Sequence, residues 1–262
     1  MKRNVLLSAL AVALLSLCLP YPAFSLTLTF EDTRNYWPGW GNGSRDDSQD
    51  TIGDPDFTGG TITVEGAFLK QITFSFKEWE SGTTWGKLHP GDLFLDVDSN
   101  KSWDYVVYSD DDKLDNLVTN YTTPTQWSLY KLSGGLPLGS ASAVPAYYQK
   151  SGGDSADYWA GYLIRDDHPI GLASTDGLTS VGTVDFSGWG STQLTFDFSS
   201  SPIALTLPAD LTLGFTVNCA NDVVYETVRV HTPEPASMLL LGTGLVGLAG
   251  WAKRRKGQKP QA

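Results

Sequence analysis

Between residues 26 and 231 apolar and polar positions alternate with a period of two over many short stretches. Residues 27–30, 61–64, 71–76, 93–96, 105–108, 193–198, 204–207 and 212–217 each place every second side chain on one face, the pattern of a half-buried strand. β-Branched and aromatic residues fill these stretches, and Gly, Ser, Asn and Asp separate them, as turns require. Few segments carry a helical period. Many short strands without intervening helices predict an all-β fold, a single antiparallel β-sandwich or jelly-roll-like domain, with a barrel as the alternative. Residues 31–60 and 132–156, rich in small and polar residues, are expected to be long loops.

The two ends break this pattern with continuous apolar runs. Lys2 and Arg3 precede an uncharged run from Val5 to Leu19, followed by Pro20, Pro22 and small residues at Ala23 and Ser25. This order predicts a signal peptide over residues 1–25, cut after Ser25 by signal peptidase. The run is shorter than the roughly 20 residues a membrane span needs. Leu17, bulky before Cys18, argues against a lipoprotein signal. At the other end, residues 232–262 form a three-part tail. Pro233, Glu234 and Pro235 come first, an apolar stretch from Met238 to Ala252 predicts a helix, and Lys253, Arg254, Arg255 and Lys256 stop it. Cations placed after a short apolar helix hold it in the inner membrane with the charges in the cytoplasm, as a transient anchor.

That tail resembles the PEP-CTERM sorting signal of Gram-negative bacteria that make extracellular polysaccharide. The resemblance implies recognition of Pro233, Glu234 and Pro235 by an exosortase, a membrane enzyme that removes the tail, and delivery to the cell surface or matrix. Thr232 stands where Val is common in that family, and Gly257–Ala262 is an added extension. Inside the domain, Gly91–Phe94, Trp103–Tyr105 and Asn218–Asp222 are similar to segments of exosortase-sorted surface proteins of unassigned function. Gly242, Gly244 and Gly247 fit a dinucleotide-binding glycine pattern by spacing. The apolar tail leaves no room for the strand, helix and acidic residue which that motif requires.

Removing both signals leaves eleven basic and 28 acidic residues, a net charge of −17. Such a surface repels nucleic acid and attracts divalent cations. Cys18 leaves with the signal and Cys219 remains alone, so neither an internal disulfide nor a structural zinc site is expected.

The sharpest interior feature is the run from Asp92 to Val107. Asp96, Asp98, Asn100 and Asp104 occupy positions 1, 3, 5 and 9 of a calcium-loop pattern, and the Ser102 carbonyl falls at position 7. Alternate positions in a tight loop aim oxygens at one centre, which a hard cation needs. Lys101 replaces the glycine that usually permits the turn, and Val107 replaces the closing Glu. Asp110, Asp111 and Asp112 extend the acidic run. Trp37 and Trp40, in a Gly-rich loop, are the candidate platform for stacking on sugars. The remaining tryptophans are expected in the core.

A catalytic constellation is not expected. Glu78 and Glu80 flank Trp79 on one strand face and are the candidate carboxylate pair for a secreted glycan hydrolase, the alternative reading. His89, His168 and His231 are the only histidines, with Asp166 and Asp167 preceding His168. The sequence therefore predicts a non-enzymatic exported surface or matrix protein, associated with extracellular polysaccharide and with calcium as its candidate ion.

Overall fold

A computed structural model describes residues 25–34, 37, 55–77, 90–109, 124–137, 146–149, 158–159, 162–163, 168–172, 174–217, 222–231 and 242–248. The strands are, in chain order, β1 (Ser25–Phe30), β2 (Phe57–Glu65), β3 (Phe68–Phe76), β4 (Leu93–Asp96), β5 (Ser102–Tyr108) and β6 (Gln126–Pro137). The short β7 (Ala146–Gln149), β8 (Tyr158–Trp159), β9 (Tyr162–Leu163) and β10 (His168–Leu172) follow. The last five are β11 (Thr179–Ser187), β12 (Gln193–Asp197), β13 (Ile203–Ala204), β14 (Ala209–Thr216) and β15 (Val223–Val230).

One antiparallel sheet carries most of them, in the order β1-β2-β3-β12-β11-β6-β5-β4-β14-β15, with β13 added to β3. The sheet folds on itself. Phe74 of β3 stacks on Phe215 of β14 at 4.9 Å between ring centres, and Phe196 of β12 meets Phe215 at 5.4 Å, although β14 is not a neighbour of β3 or β12 in the sheet. The two halves therefore face each other across one core. All three rings are fully buried, and each removes enough apolar area from water to contribute roughly 2–3 kcal/mol. The sheet curls until its ends nearly meet, like a barrel. Just past β1, the Thr33 backbone N–H and hydroxyl both donate to Glu226 Oε1 of β15 at 2.7 Å.

The all-β, antiparallel expectation is met, and a short helix over residues 242–248 lies inside the expected 238–252. Among the described residues no helix is long and apolar enough to cross a membrane. Gly242, Gly244 and Gly247 sit in that helix, not in a turn between a strand and a helix, and a Cβ at any of them would meet nothing within 4 Å. Ser25, the last residue of the expected signal, is the first of β1 and pairs with Glu65.

Three long strands lie outside the sequence expectation. β6 runs into the expected loop over 132–156 and pairs Leu136 with Trp103 and Pro137 with Ser102. Its alternation at Trp127 and Leu129 slips where the pairing shifts register between Trp103 and Tyr105, so the period-two signal is lost midway. β11 carries Gly182 at another register shift, and only Val184 and Phe186 reach the core. β15 has its inward row interrupted by Glu226. Conversely, the expected strand over 204–207 contributes only Ala204, in β13.

Candidate functional site

Strand β4 decides where the polar chemistry falls. All four of its residues are buried, so both faces are covered. Leu93 and Leu95 point into the main core, while Phe94 belongs to a second cluster with Trp37, Trp103, Leu132, Val223 and Tyr225. Across the sheet Phe94 pairs with Gly214, and Gly214 with Tyr225, so three residues form one row on the outer face. The Trp37 ring lies over that row. A Cβ on Gly214 would stand 2.6 Å from Trp37 Cζ2, so only glycine leaves room for the indole. Trp37 is 2% exposed and packs edge-on against Phe94 and Trp103 at 5.5 and 5.7 Å. This corrects the expectation for Trp37. Its ring seals a second core and has no face left for a sugar. Trp40 lies outside the described residues.

Two residues along each strand, the next row is polar. Asp96 of β4 pairs with Thr212 of β14, and Thr212 with Thr227 of β15. The two threonine hydroxyls are hydrogen-bonded at 3.0 Å. The row after that pairs Asp210 with Arg229, whose side chains form an ion pair at 3.0 Å.

Asp96 also begins the hairpin to β5. Carboxylate oxygens of Asp96, Asp98 and Asp104 lie within 4.8 Å of one another. The backbone wraps the first of them. Oδ1 of Asp96 accepts from the Ser99 N–H at 2.9 Å and the Asp98 N–H at 3.3 Å, and Oδ2 accepts from the Lys101 N–H at 3.1 Å. Asp104 Oδ2 accepts from the Val97 N–H at 2.8 Å, and Asp98 Oδ1 from the Asn100 N–H at 3.1 Å. Ser99 and Lys101 take left-handed conformations, with φ of 63° and 66°. Lys101 thus performs the turn that glycine usually provides. Ser99 anchors the loop to β14, its hydroxyl donating to the Asp210 carbonyl and accepting from the Asp210 N–H, both at 2.9 Å.

Burial pushes the Asp96 carboxyl up from its ordinary value, against the pull of its three backbone donors. Burial likewise pushes Asp104 up, and the charges of Asp98 and Asp96 add to the effect. Three carboxylates crowded in a partly desolvated loop repel one another, and a cation among them would relieve this.

The structure places the remaining site residues as follows. Asn100 is exposed, and Ser102 opens β5. His168 lies in β10, paired with Gln149. Glu78, Glu80, His89, Cys219, the aspartates at 110–112, 166 and 167, and the sorting residues Pro233, Glu234 and Pro235 lie outside the described residues.

Gly91 and Asp92 have structural roles. A Cβ at Gly91 would stand 2.3 Å from the Ile170 carbonyl oxygen. The fully buried Asp92 accepts the Ser109 N–H at 3.1 Å and the Leu172 N–H at 2.7 Å, tying β5 and β10 to the start of β4. Asp222 does the same for Phe57 and Val223, at 2.6 and 2.8 Å.

A cleft of about 430 Å³ opens over the polar row, and Arg34, Lys101 and Tyr225 also line it. None of these three was singled out for binding by sequence. Tyr225, Thr227 and Arg229 do alternate along β15, but more than 110 residues separate them from Asp96.

Residues 231–256 match the PEP-CTERM protein-sorting motif. No curated protein and no solved structure matches the chain. The motif marks an exported bacterial protein that an exosortase processes and sorts to the cell surface.

Proposed function

We propose that the chain is a non-enzymatic surface or matrix protein of a Gram-negative cell, in which calcium fastens the β4–β5 hairpin and the domain associates with extracellular polysaccharide. The observation that carries the calcium reading is the convergence of Asp96, Asp98 and Asp104 within 4.8 Å. Oxygens bound to one calcium at about 2.4 Å stand at most about 4.8 Å apart, so this spacing suits a shared ion. Asn100 and the Ser102 carbonyl supply further oxygens from the same loop. The backbone supports the reading as well. The N–H groups that hold Asp96 fix its carboxylate before any ion arrives, which lowers the ordering cost of binding.

Calcium serves architecture here. Ser99 joins the loop to β14, so a rigid loop stiffens the outer face near the closure of the sheet. A protein exposed outside the cell, in calcium-containing medium, is stabilised by mass action while the ion is present.

The test is calorimetric titration of the full chain with calcium, together with melting in calcium and in chelator. One bound ion and a raised midpoint are expected. No bound calcium and an unchanged midpoint reject the ion. Incubation with the host's own polysaccharide separates association from hydrolysis. Retention without product supports association, and product release that disappears in Glu78→Gln supports the hydrolase instead.

A further inference from the structure

We propose that the cleft beside the carboxylate loop binds a carboxylate-bearing sugar unit of an acidic polysaccharide. This deepens the surface-protein reading above and rests on it. The floor is the polar row, where Thr212 and Thr227 share one hydrogen bond and keep further acceptor capacity for a sugar hydroxyl. Tyr225 forms the back wall, its ring held by Trp37 and Trp103 at 6.1 and 5.9 Å. The Tyr225 phenol, the Arg34 guanidinium and the Lys101 ammonium make no hydrogen bond or ion pair among the described residues. The cleft therefore combines two cations that have no partner among the described residues, a phenol and a hydroxyl row.

The ligand class follows from using all of them. A volume of about 430 Å³ suits one or two sugar rings. A neutral sugar would meet the hydroxyls and leave both cations unpaired on desolvation. A small inorganic anion would meet the cations and leave the threonine row unused. A uronic acid offers a carboxylate for Arg34 and Lys101 and ring hydroxyls for Thr212 and Thr227. Arg34 can bind the carboxylate through two parallel N–H bonds.

The surrounding charge adds a condition. The mature region carries a net −17, so an acidic ligand approaches against repulsion everywhere except where cations are concentrated. Asp210 is paired with Arg229, which leaves Asp96 as the opposing charge in the cleft wall. Asp96 also belongs to the carboxylate cluster, and a cation held there offsets it. Acidic-sugar binding is thus expected to tighten when calcium is present.

The experiment is calorimetric titration of the full chain with digalacturonate, too short to form calcium-bridged gels, in calcium and in chelator. Cellobiose and tetraglutamate serve as the neutral and peptide comparisons. Binding of digalacturonate in calcium is expected, weakened at least tenfold by Arg34→Gln with Lys101→Gln. Equal affinity in that double variant, equal affinity for cellobiose, or tighter binding of tetraglutamate overturns the site. Calcium titrated alone reads the carboxylate loop separately, and cell fractionation reads surface delivery, so either failure is distinguishable from failure of the cleft. Melting of the double variant checks that its fold is retained.

Discussion

The Lys101 backbone N–H donates to Asp96 Oδ2 at 3.1 Å while Lys101 holds φ at 66°, so a residue with a side chain closes a loop usually closed by glycine. The left-handed conformation costs a residue with a Cβ about 1–2 kcal/mol. Glycine avoids that cost and loses about 0.5–1 kcal/mol through its freer unfolded chain. Lys101→Gly is therefore expected to leave stability unchanged or raise it by up to about 1.5 kcal/mol, and to keep calcium affinity within a few-fold. Lys101→Val, β-branched at positive φ, is expected to lower both. Calorimetry and denaturant melts of the two variants decide it. Equal calcium binding by both would show that this turn does not position the oxygens.

The pH dependence has a definite sign. Asp96 and Asp104 titrate above their ordinary 3.8 in the folded chain. A raised folded pKa contributes stability that is fully present below the unfolded value and is lost as pH rises through the folded one. Without calcium these two groups thus favour the fold in acid and oppose it at neutral pH. Calcium binds the charged forms and competes with the protons. At one hundred times its dissociation constant it adds about 2.7 kcal/mol, roughly 5–10 °C in midpoint for a domain of this size. The gap between calcium and chelator melts is expected to be widest near pH 7 and to narrow towards pH 4. A gap independent of pH would place the ion elsewhere.

Trp37→Ala tests the sealed second core. Removing a buried indole is expected to cost about 3–5 kcal/mol, read by denaturant melts. Gly214→Ala is expected to be damaging as well, because its Cβ would stand 2.6 Å from the same ring. A Trp37→Ala chain of full stability with lost sugar binding would restore Trp37 as an exposed stacking residue.

Asp92→Ala and Asp222→Ala each remove an acceptor from two buried backbone N–H groups. Each unsatisfied donor costs about 1–3 kcal/mol. Losses of several kcal/mol are expected, with calcium affinity per folded molecule unchanged. A change within about 0.5 kcal/mol would remove these carboxylates from the account of stability.

The sorting motif over residues 231–256 predicts a shortened C-terminus on the protein recovered from cells. Mass spectrometry reads it directly. Replacing Pro233, Glu234 and Pro235 by alanine is expected to leave the tail attached and the protein in the membrane fraction. Normal trimming of that variant would remove these three residues from recognition.

By itself the sequence determined what local order can carry. Period two along β1 and β3 requires a strand buried on one face, and the proline pair, apolar stretch and cationic stop of the tail act within some 30 contiguous residues. The spacing of Asp96, Asp98 and Asp104 was equally legible, because a tight loop alone brings alternate side chains together. Tertiary structure decided the rest, through contacts between residues far apart in the chain. Only the pairing of β4 with β14 and β15 sets Asp96 beside Thr212 and Thr227 and brings Arg34 and Tyr225 to one cleft. The same pairing gave Trp37 the space over Gly214, turning an apparent surface aromatic into core. A tryptophan's exposure depends on what lies across from it, and local pattern does not encode that.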